Sequence, residues 1–292
     1  MTWHVGILFG DQENPFWQEQ MLWYRKFLPE YPFRSEMFFT DPPRDISVQA
    51  GLCQRLLTCG LDALIVNPLD SQELAREAAG AHTDCVMFDV GPKCDPKLTC
   101  VMSNYVPLPV CSFREQGRLC ASELLKQSCD ATGSLACIGG PESARQGRGR
   151  VEGALAAAAD AGCPTLPVVW SDFTREGGYR AAKQLLSAAP RAVFCANDLM
   201  ALGVSDLIEE RKLNIPVGGV DLIPSAVFAV RNGTLAATVG PRGEDIVRGV
   251  LTSVQDYLER QVRPKGYLAQ NVLVTAEILR KKQQSGGLSI SW

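Results

Sequence analysis

At roughly 150 residues per domain, a chain of 292 residues holds about two domains' worth of packed core. Hydrophobic residues make up 46% and charged residues 21%, which excludes disorder of the low-hydrophobicity, high-charge kind. Lys plus Arg number 29 against 32 Asp plus Glu, a net charge of −3, so no global basic field exists to hold a nucleic-acid backbone.

Short apolar runs alternate with helix-length amphipathic segments. Residues 5–9 read as a strand, followed by a helix from about 15 to 28 and a strand over 34–39. Ile46, Ala50, Cys53, Leu56 and Leu57 recur near the helical period, which predicts a helix over 45–59. Residues 63–66 form a wholly apolar strand, Ser71 is read as the cap of the next helix, and 85–88 is a further strand. The second half repeats the theme. Strands are expected at 135–138, 166–170, 192–195 and 216–220, with helices at about 148–161, 175–188, 198–210 and 242–260. The alanine-rich stretch 154–159 favours helix and is ended by Gly162, whereas the polar tail 281–287 reads as a frayed extension. Continuous apolar strands separated by helices predict parallel sheets covered on both faces. Two consecutive α/β units of similar size follow, with ligands expected beyond the carboxyl ends of the strands.

The longest apolar stretches are strand-length and broken by charges or prolines, so no segment is expected to span a bilayer. Met1-Thr2-Trp3-His4-Val5 has neither the basic start nor the cleavage site of a secretory leader. This leaves open a cytoplasmic protein or a mature form whose leader has been removed. Eleven cysteines are present with no CxxC, and the histidines are His4 and His82, so no zinc site is expected. Cys85, Cys137 and Cys195 lie in or beside strand-like runs, where a thiol behaves as a small buried hydrophobe. That usage leans towards a reducing compartment, although Cys94 and Cys100 flank a short loop and a bridge between them stays open.

Polar residues end several strands: Asn67, Asp89, Asp221 and the pair Asn197-Asp198. Such residues either bind a polar ligand or cap the next helix, and their recurrence at four strand ends favours the ligand. Asn14-Pro15-Phe16-Trp17 offers a cap, a helix-starting proline and two rings able to stack on a flat apolar face. Gly147 to Gly153 spells GxGxxxG rather than GxGxxG, and Gly139-Gly140-Pro141 is not followed by GK[ST], so neither is a nucleotide loop. Arg150 is instead read as a fork of donors for hydroxyl or carboxylate oxygens. Neither histidine sits at a strand end beside a nucleophile, so no triad is expected. Asp89 and Asp221 suit an acid–base pair, but binding explains them equally well.

In order and local sequence these elements resemble the type I periplasmic binding-protein fold over about residues 3–275, most closely the ribose-type sugar-binding proteins and the effector domains of lactose-repressor-like regulators. The anchors are Asn14-Pro15-Phe16-Trp17, residues 62–68, Phe88-Asp89, residues 192–203 with their Asn197-Asp198-x-Met200-Ala201-x-Gly203 run, residues 217–221 and residues 233–239. The resemblance implies two Rossmann-like α/β lobes with parallel sheets joined by a three-strand hinge. One lobe would comprise 1–104 plus 242–268, the other 105–241 plus 269–292. It implies a non-enzymatic solute-binding protein without cofactor or metal, closing on a sugar for an ABC-type transporter or membrane sensor. The implied ligand-binding residues are Asn14, Phe16, Trp17, Asn67, Asp89, Ser103, Arg150, Phe173, Asn197 and Asp221, with Arg150 at the start of its helix.

Four departures bear on the ligand. Val90, Val220 and Pro241 stand where the ribose-type pattern has an arginine, an aromatic and a glutamine, and residues 105–111 form an apolar insertion. A ligand less uniformly hydroxylated than ribose is expected, such as a modified sugar, polyol or nucleoside-like molecule. The alternative is a cytoplasmic ligand-sensing regulator without a DNA-binding domain, since the first strand begins almost at Met1.

Overall fold

The computed structural model describes residues 2–81, 83–91, 104–128, 132–263, 265 and 268–284. Ser103, Cys94 and Cys100 lie outside the described residues. The chain divides into two compact units, residues 1–111 with 243–269 and residues 112–242 with 270–292, so it passes from one unit to the other three times.

In the first unit, β1 (Trp3–Phe9), β2 (Phe33–Phe39), β3 (Ala63–Asn67), β4 (Val86–Asp89) and β5 (Tyr105–Pro107) form a parallel sheet in the order β2-β1-β3-β4-β5. The central strand β3 is buried throughout, which is why it reads as an unbroken apolar run, whereas the edge strand β2 alternates half-buried and exposed residues along most of its length. The strands are linked by α1 (Pro15–Phe27), α2 (Ile46–Leu57) and α3 (Ser71–Gly80). Asn14 Oδ1 accepts from Phe16 N at 3.0 Å to open α1, and Asp45 Oδ1 accepts from Val48 N at 3.0 Å to open α2. The helix Gly243–Arg260 (α9) returns to this unit and lays Ile246, Val250 and Val254, at i, i+4 and i+8, into its core.

Two readings are corrected here. Asp70, not Ser71, caps α3: its Oδ1 accepts from Gln72 N at 2.8 Å and Glu73 N at 3.2 Å, while the Ser71 hydroxyl turns to Asp89. The first unit also extends to Cys111 rather than 104, because β5 pairs with β4 and the apolar Tyr105, Val106 and Leu108 are buried in it.

The second unit has a six-stranded sheet in the order β11-β10-β9-β8-β6-β7, from β6 (Leu135–Gly139), β7 (Val169–Trp170), β8 (Ala192–Cys195), β9 (Val217–Val220), β10 (Ala237–Pro241) and β11 (Asn271–Thr275). All neighbours pair in parallel except the edge pair β10 and β11, which is antiparallel. Its helices are α4 (Phe113–Gln127), α5 (Arg145–Asp160), α6 (Arg175–Leu185), α7 (Asp198–Glu210), α8 (Pro224–Asn232) and α10 (Ala276–Gln284). Gly162 has φ +63 just after α5, where a residue without Cβ ends the helix at no steric cost. The polar tail is not frayed at its start, since residues 281–284 belong to α10. Arg150 is not at a helix start either: α5 begins at Arg145, which places Arg150 in the second turn.

The strand-associated thiols and Cys120 on α4 are core. Burial pushes Cys85 and Cys137 up to about 12, and Cys120 and Cys195 well above the ordinary thiol value. Among the described residues no helix is long and apolar enough to cross a membrane.

Candidate functional site

In the first unit the polar residues gather at the carboxyl ends of β1, β3 and β4. Phe9 pairs in register with Asn67, and Val66 with Asp89, so both side chains end adjacent strands. Gln49 holds the chain around Asn67, donating from Nε2 to Asn67 O at 3.0 Å and accepting from Leu69 N at 2.8 Å. Asp11 shapes the loop before α1 by accepting from the amides of Glu13 (2.9 Å) and Asn14 (3.2 Å) and from Arg44 Nε (2.6 Å). That loop presents Phe16 and Trp17, both half-buried, with Trp17 edge-on to Phe9 at 6.4 Å and to Phe16 at 4.8 Å. Asn14, Phe16, Trp17, Asn67 and Asp89 therefore share one end of one sheet. Sequence reasoning missed Gln49, whose partners lie 18 and 20 residues on, and Asp11, whose local turn onto the amides of Glu13 and Asn14 is a signal the sequence does offer.

Asp89 is buried and accepts from Ser71 Oγ at 3.1 Å and from the Tyr105 hydroxyl. A hydroxyl bonded to a buried carboxylate is worth about 2 kcal/mol, more than the roughly 1 kcal/mol of an exposed helix cap. Ser71→Ala is thus expected to destabilise the first unit more than Asp70→Ala in urea unfolding. The reverse order would mean that Ser71 serves the helix rather than Asp89.

The second unit assembles Arg150, Phe173, Asn197 and Asp221. Arg150 is buried and donates from Nε to Gln116 Oε1, from Nη1 to Ala196 O and from Nη2 to Asp221 Oδ1, each at 2.8 Å. Three of the five guanidinium N–H groups are thereby occupied. Asn197 caps α7 by accepting from Met200 N at 3.0 Å and also donates from Nδ2 to Phe173 O at 2.9 Å. Capping and positioning are therefore both true of Asn197. This bond pins Phe173 in the left-handed region (φ +63), and its ring fits a slot in which a Cβ on Gly140 would lie 2.1 Å from Phe173 Cζ.

Glycine contacts between helices set the position of Arg150. A Cβ on Gly117 of α4 would meet Arg150 O at 1.7 Å, and one on Gly153 of α5 would meet Arg114 O at 1.9 Å. The two backbones touch, which brings Gln116 within reach of Arg150. The GxGxxxG run is accordingly a helix-packing stripe inside α5: Gly147 faces Phe173, Gly149 faces Phe113 and Gly153 faces Arg114. The Asn197-Asp198-x-Met200-Ala201-x-Gly203 run is explained in the same way. A Cβ on Gly178 would meet Met200 O at 2.2 Å, and one on Gly203 would meet Arg175 O at 1.8 Å, closing α6 onto α7.

The charges form a buried cluster. Burial raises the Asp221 carboxyl against the lowering effect of Arg150. Behind it lies Asp198, fully buried, whose carboxyl is pushed up to about 8 by burial and by the charge of Asp221. The Arg150 guanidinium thus faces the Asp221 carboxyl, and both acids hold their protons more tightly than exposed ones do. Val90, Val220 and Pro241 are buried and add no polar group to either set. Among the described residues no cluster of His, Cys, Asp or Glu is arranged to hold a metal ion.

With this geometry in view, comparison with known proteins is informative. The chain is 25% identical over 259 residues to the ribose import binding protein of Bacillus subtilis (strain 168), covering 87% of this chain and 81% of that one. It is 35% identical over 238 residues to the ribose operon repressor of Escherichia coli (strain K12), covering 78% of this chain and 68% of the repressor. The crystal structure of an ABC transporter periplasmic solute binding protein from Actinobacillus succinogenes 130z with bound D-allose superposes with a TM-score of 0.86 at 20% identity, covering 95% of this chain and 99% of that one, a likeness of fold. A family described as periplasmic binding protein domain matches residues 5–261, and the chain belongs to that family.

Proposed function

We propose that the chain is a non-enzymatic receptor for a small hydroxyl-bearing ligand, a sugar or sugar-like molecule. The observation that carries the reading is the Arg150–Asp221 pair: a fixed donor fork beside a carboxylate, at strand ends that also bear an amide (Asn197) and a ring (Phe173). Sugar hydroxyls both donate and accept, and sugar C–H faces suit aromatic rings, so such a mixed set fits them. The first unit supplies a second set of the same kind in Asn67, Asp89 and Trp17. Two of the three named relatives agree in class: one is a ribose import binding protein and the Actinobacillus protein holds D-allose. Contacts made in one conformation and missing in another would shift the conformational population on binding, the signal a transporter or membrane sensor reads. A mature form whose leader has been removed would act in the periplasm.

The apolar Val90, Val220 and Pro241 favour a ligand with fewer hydroxyls than ribose: a modified sugar, a polyol or a nucleoside-like molecule. Calorimetric titration with D-ribose, 2-deoxy-D-ribose, D-allose, myo-inositol and adenosine tests this. A saturable heat without turnover is expected, and Trp17→Ala is expected to weaken the tightest binder about tenfold or more. No binding across the panel, or product formation, overturns the receptor reading; tight binding of D-ribose overturns only the apolar-edge argument.

A second reading, a cytoplasmic ligand-sensing regulator, is favoured by the 35% identity to the ribose operon repressor and by the buried thiols. Fractionation of cells producing the full natural gene product separates the two.

A further inference from the structure

The turn that carries Asp221 is strained. Asp221 has φ +123 and Leu222 φ +60, two consecutive non-glycine residues in a region that side chains disfavour. Each amide along it is nevertheless held. Asp221 N donates to Val239 O at 2.9 Å, Leu222 N to Thr238 Oγ1 at 3.4 Å and Ile223 N to Asp198 Oδ2 at 3.0 Å. The two holders are joined to each other, since Thr238 Oγ1 donates to Asp198 Oδ1 at 2.7 Å and Oδ2 at 2.9 Å. Room for the Asp198 carboxyl comes from Gly219, where a Cβ would lie 2.3 Å from Asp198 Oδ1. Asp198 and Thr238 are both fully buried, so neither offers a surface to a ligand. The ionisable groups that face Asp198 are Asp221 after β9, Arg150 on α5, Cys120 on α4 and Cys195 on β8.

We propose that Asp198 and Thr238 are positioning residues that clamp the left-handed turn 221–223 and thereby aim the Asp221 carboxylate at Arg150, making the donor fork ready for ligand before it arrives. The proposal rests on the reading of Arg150 and Asp221 as ligand-binding residues. Its logic is preorganisation: a strained turn persists only where its surroundings over-determine it, and here two side chains do so from beneath. Without them the turn relaxes, Asp221 swings off Arg150, and the ligand must pay to restore the pair.

The test uses the whole chain with Thr238→Val, Thr238→Ser and Asp198→Asn. Two quantities are read: affinity for the tightest binder among D-ribose, 2-deoxy-D-ribose, D-allose, myo-inositol and adenosine, and the Nε–H nuclear magnetic resonance signal of Arg150 in the ligand-free protein. Thr238→Val and Asp198→Asn are expected to weaken binding about tenfold or more and to shift and broaden the Arg150 signal. Thr238→Ser keeps the hydroxyl and is expected to behave as the wild type in both. The proposal is overturned if Thr238→Val and Asp198→Asn fold with the Arg150 signal and the affinity unchanged, or if Thr238→Ser loses both. Should Thr238→Val fail to fold, Asp198→Asn against Thr238→Ser decides. If no probe binds the wild type, the receptor reading fails, while the Arg150 signal still judges the clamp.

Discussion

Arg150→Met is expected to abolish ligand capture and to destabilise the second unit by about 3–5 kcal/mol, because it removes a cation facing two buried carboxyls. The ion pair has side-chain exposures of 8% and 10%, too little for water to solvate Asp221 once its partner is gone. Ala196 O and Gln116 Oε1 lose donors in the same step. The double variant Arg150→Met/Asp221→Leu separates stability from binding. Replacing both charges by apolar groups of similar volume is often neutral, so much of the stability should return in denaturant unfolding while binding stays absent. A double variant as unstable as the single one would show that Arg150 acts by packing rather than by charge.

The same cluster sets a pH dependence. Asp198 has a folded-state value of about 8 against an ordinary 3.8, so the folded state holds its proton more tightly than the unfolded state does. The stability from this group is full below about pH 4 and is lost as pH rises towards 8. Asp221, raised by burial in spite of Arg150, acts in the same direction. The clamp variant Asp198→Asn should therefore show a flatter melting temperature than the wild type between pH 5 and 8, even though it binds less well.

Strand ends were legible because parallel strands buried on both faces leave unbroken apolar runs, and the first polar residue after such a run marks the carboxyl end. Asn67, Asp89 and Asp221 were found in this way. Gln116 was not. It lies on the buried face of α4 with Gly117, Cys120, Ala121, Leu124 and Leu125, a lone polar residue in an otherwise apolar stripe that carries no mark of the partner it meets. Its partner Arg150 is 34 residues away, and Asp198 and Thr238 are 40 apart, separations at which local pattern holds no information about pairing. The stripe in α5 shows the same limit. Its glycine spacing is visible in the sequence and lies inside a helix, but its use depends on which helix lies against it.

Two opposing effects meet at Gly153, and their magnitudes settle the outcome. Alanine in a helix interior is favoured over glycine by about 1 kcal/mol. A Cβ at Gly153 would nevertheless lie 1.9 Å from Arg114 O and 2.8 Å from Arg114 C, backbone atoms that cannot rotate aside. Relief requires α4 and α5 to separate by more than an ångström, at a cost of about 3 kcal/mol for overpacking. Gly153→Ala is therefore expected to destabilise the second unit by about 2 kcal/mol net and to weaken ligand binding, since Gln116 would leave Arg150 Nε as the helices part. Gly51→Ala on α2 is the control: the nearest atom to its new Cβ is the flexible Arg55 Nη1 at 3.8 Å. There propensity acts alone, and a gain of about 0.5–1 kcal/mol is expected. Opposite signs for the two substitutions in thermal unfolding would establish that the α4–α5 crossing, and not glycine flexibility, holds Arg150 in place; equal gains would refute it.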